Sequence, residues 1–378
     1  MADTMYDIAI AGGGLAGLTL AIQSADAGYK TLLVEKEQYP YHKVCGEYIS
    51  NESAGFLQSL GLPLQKMQLP QIKNLQISNC KGKVYGFALP LGGFGVSRYT
   101  LDDALYNIAL KKGVTVLTQT KVNDVTFSND VFTIATGQRA FTAKCAVGSF
   151  GKRSNLDVKW QRPFIASKAS GLNNYIGVKY HIQYPHDPTV IALHNFSNGY
   201  CGISNIEDGK TCLCYLTTAK NLQQNGNSIK QMEENLLYKN PRLQQIFSTA
   251  DILYNAPLAI SQISFAQKSQ VENHLLMAGD AAGLITPLCG NGMSMAMHAG
   301  KLAFNNMHLF LQGKISRPIM EQRYAAEWRK QFSSRLFTGR LVQSVFGGEA
   351  STALFLHLVG KNNWLAQKLI SATHGTAF

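Results

Sequence analysis

The sequence predicts an α/β fold in which a parallel-sheet domain of the nucleotide-binding kind is interrupted by a strand-rich domain and followed by helices. Three observations predict it. The chain opens on strand, glycine turn, helix and strand within "YDIAIAGGGLAGLTLAIQSADAGYKTLLVEKE". From about Trp160 to Ala266 the pattern changes to short alternating strands, and it then returns to a strand entering a glycine turn in "HLLMAGDAAG". At 378 residues the chain exceeds the usual single core and suits two interleaved units.

Each element has its own signal. Tyr6 to Ala11 is a short apolar, β-favouring run, Leu15 to Ala27 has helical apolar spacing, and Thr31 to Glu35 reads as a second buried strand. "IKNLQIS" and "KVYGFALP" flank the turn "NCKGK". In "TLDDALYNIALKKG", Thr100 is placed as the N-cap of a helix with Asp103 three residues on. Short strands follow in "VTVLTQTKV" and "VTFSNDVFTIATG", the latter a hairpin closed by Ser-Asn-Asp. The middle of the chain predicts an antiparallel sheet facing a ligand, with one helix in "SIKQMEENLLYKN" closed by Pro241. "GMSMAMHAGKLAFNNMHLFL" predicts a long helix. Beyond it Phe332, Leu336, Phe337, Leu341 and Phe346 fall near helical spacing, as a seam against the core or as a face for a dimer or a membrane surface.

With 46% hydrophobic and 15% charged residues, the composition is globular rather than disordered or fibrous. The start lacks a basic segment followed by an apolar run, and no stretch offers eighteen clean apolar residues, so the expected location is cytoplasmic. Seven scattered cysteines without C-x-x-C spacing, and histidines without helical pairing, predict no metal site. Cys212 and Cys214 share one face of a strand, which reads as packing. The net charge of +12 is spread in singlets and pairs, which argues against a nucleic-acid arm. Such a field suits a phosphorylated cofactor, an anionic substrate, an acidic carrier or an anionic membrane surface, or simple solubility.

The strongest motif is Gly12-x-Gly14-x-x-Gly17 between strand and helix, with Glu35 at the end of the next strand. Gly12 permits the turn, Gly14 lets backbone approach a pyrophosphate, and Gly17 lets the helix pack on the strand. Leu15 and Ala16 open the helix, whose free N–H groups favour phosphate. Glu35, followed by Lys36, accepts ribose hydroxyls and disfavours a 2′-phosphate, so the dinucleotide is FAD or NAD.

"LLMAGDAAGLITPLCGNGMSMAMHAG" resembles the second FAD signature of the para-hydroxybenzoate hydroxylase superfamily, with Gly279, Asp280, Pro287, Gly290 and Gly292 on the pattern. The resemblance implies FAD, with Asp280 near the ribityl or ribose and the loop from Pro287 through Asn291 to Met293 along the isoalloxazine. A helix N-terminus there would favour negative charge on the reduced ring. "SRYTLDDAL" is similar to a third segment of that superfamily and carries Arg98 onto a cofactor-contacting position. "YPYHKVCGEYIS" resembles the loop of geranylgeranyl reductases and related enzymes, with Pro40, Lys43, Cys45 and Gly46 matching. This would set Lys43 and Cys45 beside the flavin and make Lys43, Cys45 and Glu47 the candidate catalytic residues. The resemblance spans roughly residues 6 to 310. It departs at "GSFGKRS", where Phe150 replaces an aspartate of the hydroxylases, and the Trp-x-Trp-x-Ile-Pro motif of halogenases is absent.

The expected architecture is thus a Rossmann-like FAD-binding domain (1-72, 97-158 and 270-313) interrupted by a strand-rich substrate domain (73-96 and 159-269), with a C-terminal helical segment (314-378). The leading expectation is a flavin monooxygenase-type oxidoreductase acting on an apolar small molecule or a carrier-bound substrate, its FAD reduced by an external donor or NAD(P)H. Two alternatives are reduction of C=C bonds in an isoprenoid or polyene, and electron transfer without a substrate of its own. Expected partners are a small apolar substrate, carrier- or lipid-linked, an electron donor and a peripheral membrane contact, and not nucleic acid.

Overall fold

A computed structural model of the chain describes residues 5–166, 174–346 and 348–378. Among them, two sheets carry the architecture. In the first, Leu275–Met277, Ala140–Gly148, Tyr6–Ala11, Thr31–Val34 and Thr115–Leu117 lie side by side in parallel. Tyr6–Ala11, Thr31–Val34 and Leu275–Met277 are buried on both faces, as apolar strands of a covered parallel sheet are. Helix Leu15–Asp26 packs on the sheet and against helix Gly292–Leu311. The crossing is close: a Cβ on Gly300 would stand 2.7 Å from the Ala16 carbonyl oxygen.

The second sheet runs Asp251–Ile252, Tyr175–Gln183, Thr211–Thr218, Gly199–Asn205, Val190–Phe196, Gln71–Ser78, Val84–Gly95 and Tyr48–Ser50. It is largely antiparallel; Val190–Phe196 pairs in parallel with Gln71–Ser78. Helix Ile229–Leu236 covers one part of it, and the C-terminal helices cover another through Phe346 and Leu356. The span 1-72 contributes strands to both sheets, since Tyr48–Ser50 pairs with Val84–Gly95.

Several local expectations change. The helix Arg98–Lys111 is capped by Ser97, whose hydroxyl accepts from the Thr100 N–H, while Thr100 itself lies inside the first turn. Pro241 does more than close a helix: it is the first residue of a further one, Pro241–Thr249, capped by Asn240. Only Thr115–Leu117 of "VTVLTQTKV" is strand before Val122–Ser128 begins the hairpin, whose turn residues Asn129 and Asp130 both have positive φ. The C-terminal stripe splits. Phe332, Leu336 and Phe346 are buried, whereas Phe337 and Leu341 are 65% and 56% exposed, because the five positions wrap around the long helix Arg317–Val345 and its end.

Candidate active site

The Tyr6–Ala11 strand ends in a tight glycine turn that forms the floor of a cleft. Gly12 has φ +107°, and an added Cβ would lie 2.5 Å from the Ser149 carbonyl oxygen; Ser149 Oγ in turn donates to the Gly12 carbonyl at 2.6 Å. An added Cβ on Gly17 would lie 2.1 Å from the Gly12 oxygen, so helix and strand touch through hydrogen alone. Gly14 differs: the nearest atoms to its added Cβ are 4.0 Å away, in open space above the floor. Glu35 accepts from the Gly13 N–H at 2.7 Å and from the Glu37 N–H at 3.0 Å, which fixes its carboxylate at the strand end.

A cavity of about 1170 Å³ begins here and runs between the two sheets. Gly12, Gly14, Leu15, Ala16, Glu35, Lys36, Lys43, Cys45, Glu47, Arg98, Gly279, Asp280, Pro287, Gly290, Asn291, Gly292 and Met293 all border it. Gly17 does not, being sealed beneath Gly12. The cavity's far wall is largely apolar and belongs to the second sheet: Ile191, Leu193, Leu216, Leu258, Ile260 and Ile263 line it, with Gly177 and Gly202 keeping it open. This wall was not legible in the sequence, since strands far apart in the chain build it and apolar alternation marks any core face equally. Phe150, Lys152 and Arg153 border the cavity from the loop after Ala140–Gly148.

Arg98 is a clamp as much as a contact. Its guanidinium grips buried Asp102 through two hydrogen bonds of 2.7 Å, and Lys43 reaches the same carboxylate at 2.9 Å. Burial pushes the Asp102 carboxyl up, but Arg98 and Lys43 outweigh it and hold the group low. Burial pushes Lys43 down and the Cys45 thiol up, so Cys45 is held in its thiol form. Asp280 is pushed up by burial, against the pull of Lys268 and Arg98. Helix Gly292–Leu311 starts at Asn291 without a side-chain cap, leaving first-turn N–H groups at the cavity.

The loop from Tyr41 to Glu47 lines the cavity between the two sheets. Glu47 has φ +56°, rare for a residue with a Cβ, and its carboxylate is fully enclosed by Lys179, His181 and the Arg98 N–H. The ligand atoms of Glu47, His181 and Cys212 lie within 4.8 Å of one another. Lys179 already supplies the positive charge on that carboxylate, so a metal cation would meet repulsion there. Cys212 instead donates to the Cys45 carbonyl at 3.3 Å, and Cys214 on the same strand face borders the cavity.

The turn glycines, the acid at the strand end, the open Cβ position of Gly14 and the uncapped helix at the opposite wall fit a dinucleotide bearing a ring system. They define a FAD-dependent oxidoreductase with a parallel-sheet cofactor domain and a second sheet over it. The chain belongs to the FAD binding domain family, whose model matches residues 5–337. It is 24% identical over 372 residues to Conditioned medium factor receptor 1 of Dictyostelium discoideum, covering 91% of this chain and 71% of that protein. It is 25% identical over 374 residues to Digeranylgeranylglycerophospholipid reductase 2 of Methanothermobacter thermautotrophicus, covering 94% and 92%. Its fold matches that of the flavin-dependent brominase Bmp2 with a TM-score of 0.79 and 18% identity, covering 99% of this chain and 94% of the other.

Proposed function

We propose that this protein saturates C=C bonds in the prenyl chain of a lipid, with FAD held in the cradle between Gly12 and Met293. The observation that carries this reading is the cavity itself, which continues from the dinucleotide cradle to a largely apolar wall. At about 1170 Å³ it exceeds the range of about 300–1,000 Å³ usual for one small ligand, leaving room for a cofactor and a second, apolar molecule. Likeness to a digeranylgeranylglycerophospholipid reductase along 94% of the chain supports the substrate class. Phe150, where the hydroxylases carry an aspartate, is a departure from the hydroxylase pattern.

In this reading Glu35 binds ribose hydroxyls, the Leu15–Asp26 helix start binds pyrophosphate, and Asp280 takes the ribityl side. Bound FAD supplies the hydride equivalent, which it receives from an external donor or NAD(P)H. The chain's own work is positioning: Ile191, Leu193, Leu216 and Ile260 hold the prenyl chain away from water. Cys45, Lys43 and the Pro287–Met293 loop border its reacting end.

The test is anaerobic incubation of the reduced holoenzyme with a polyprenyl glycerolipid or a menaquinone, followed by mass spectrometry. Gain of one H2 per double bond is expected. An oxygenated product formed only on admitting air, with no saturation, would falsify the reading in favour of a monooxygenase.

A further inference from the structure

Asn291 stands at the N-cap position of helix Gly292–Leu311, where an asparagine ordinarily turns its side-chain oxygen back to accept from the first-turn N–H groups. Here it does not. Its ψ is 6°, short of the extended backbone that a capping residue adopts, and its Nδ2 donates instead to the Thr373 carbonyl at 3.0 Å. The Oδ1 that would cap the helix is buried and meets no donor among the described residues. The first-turn N–H groups are therefore left to the cavity, which Asn291, Gly292 and Met293 border.

What holds this side chain away is the segment after the last helix. Thr373 ends helix Asn363–Thr373, so its carbonyl is one that the helix itself leaves without a partner, and the Asn291 amide satisfies it. From there the chain passes between Glu52 and Arg335: a Cβ on Gly375 would stand 2.0 Å from a side-chain atom of each. The Phe378 N–H donates to the Glu52 carbonyl at 3.3 Å. The Phe378 ring stacks on His298 with centroids 4.1 Å apart, and Lys301 lies 5.8 Å from its centre. Asn291, His298 and Lys301 share one face of the helix, so the segment is pinned along the same element whose start it touches.

We propose that Thr373–Phe378 is a strap that holds Asn291 off the end of its own helix, keeping the first-turn N–H groups open to the cofactor. Thr373 and Asn291 are positioning residues. Without the strap, Asn291 is free to turn back, and its Oδ1 takes the N–H groups that the cofactor would otherwise meet. A capped helix end offers less to negative charge, and reduced FAD carries more of that charge on its ring than oxidised FAD. The strap thus favours the reduced form of the bound cofactor over the oxidised one. The inference rests on the position of the cofactor cradle and not on the identity of the substrate. A strap that served stability alone would act differently, since loss of packing weakens both forms of FAD alike.

The experiment measures the dissociation constants of oxidised FAD and, anaerobically, of reduced FAD, together with the reduction potential of the holoenzyme. No substrate is present, so the outcome is independent of the prenyl reading. Removal of residues 373–378 should lower the ratio of reduced to oxidised affinity by about fivefold, seen also as a more negative potential. Phe378→Ala, which only unpins the strap from His298, should move the potential the same way by a smaller factor, and it carries the test should the truncated protein fail to take up FAD. Adding Asn291→Ala to either variant removes the oxygen that would cap the helix, and should return the ratio toward that of wild type. An unchanged ratio in the strap variants would overturn the proposal. So would a lowered ratio that Asn291→Ala does not rescue, because the strap would then act through some group other than Asn291.

Discussion

The three glycines of the first turn look alike in sequence and differ in what surrounds them. At Gly14 a side chain has room in the protein and none beside a pyrophosphate, so Gly14→Val is expected to give a folded, colourless protein. The check pairs the visible flavin spectrum with a melting curve, and a yellow variant would refute the assignment. Gly17→Ala is the opposite case. Its methyl would collide with the Gly12 carbonyl, and the expected result is a loss of about 1–3 kcal/mol of stability. The sequence motif named these residues, because the covalent absence of a Cβ is visible in the chain itself. It could not rank them, because the Ser149 and Arg98 atoms that surround them arrive from distant segments.

At the scale of elements, polar side chains on one element decide how another sits. Glu233, on helix Ile229–Leu236, accepts from the hydroxyls of Tyr180 and Tyr215 on adjacent strands at 2.8 Å each. Burial raises its carboxyl from the ordinary 4.5 to about 6 despite those hydrogen bonds. The folded state therefore holds this proton more tightly than the unfolded chain. The stability it adds is fully present below 4.5 and is lost as pH rises through about 6. The shift corresponds to on the order of 2 kcal/mol. Glu233→Gln keeps one oxygen for both tyrosines and removes the titration, so the variant's melting temperature should lack the fall between pH 4.5 and 6 that is expected of wild type. An identical pH dependence in the two proteins would contradict the account. The Ser97 cap shows why such detail was only partly legible. Ser97 and Thr100 are both sound caps by local chemistry, and both also hydrogen-bond Glu207, which is 110 residues from Ser97.

For the whole molecule, the cavity between the sheets sets what the protein can take in. Gly202 faces it with its nearest neighbours 3.4 Å or more from an added Cβ, so a larger side chain there would fill cavity rather than displace core. Gly202→Leu is expected to leave flavin content and melting temperature near wild type. It should lower kcat/KM for long prenyl chains at least severalfold more than for short ones. Equal loss across chain lengths, measured by competition between substrates, would place the prenyl chain elsewhere. At the opposite extreme of exposure, Phe337 and Leu341 project from the long C-terminal helix while Phe332 and Leu336 anchor it. No helix among the described residues is long and apolar enough to cross a membrane.

By itself the sequence determined the FAD-binding kind of fold and pointed to a candidate cradle: the βαβ opening, its glycines, the acid at Glu35 and the second glycine loop are contiguous signals, each fixed by local backbone geometry. It also pointed to Lys43, Cys45 and Glu47, through a resemblance carried by a short segment. Only the tertiary structure decided what those residues face. Glu47 meets Lys179 and His181, more than 130 residues away, and Tyr254 joins His181 to His42 across a still longer separation. Hydrogen bonds of that kind leave no periodicity in the chain, because Glu47, His42 and Tyr254 sit in irregular segments and Lys179 and His181 on a strand whose spacing reflects burial alone. The apolar wall of the cavity is hidden for the same reason: a strand facing a ligand and a strand facing a core bury the same residues with the same period of two.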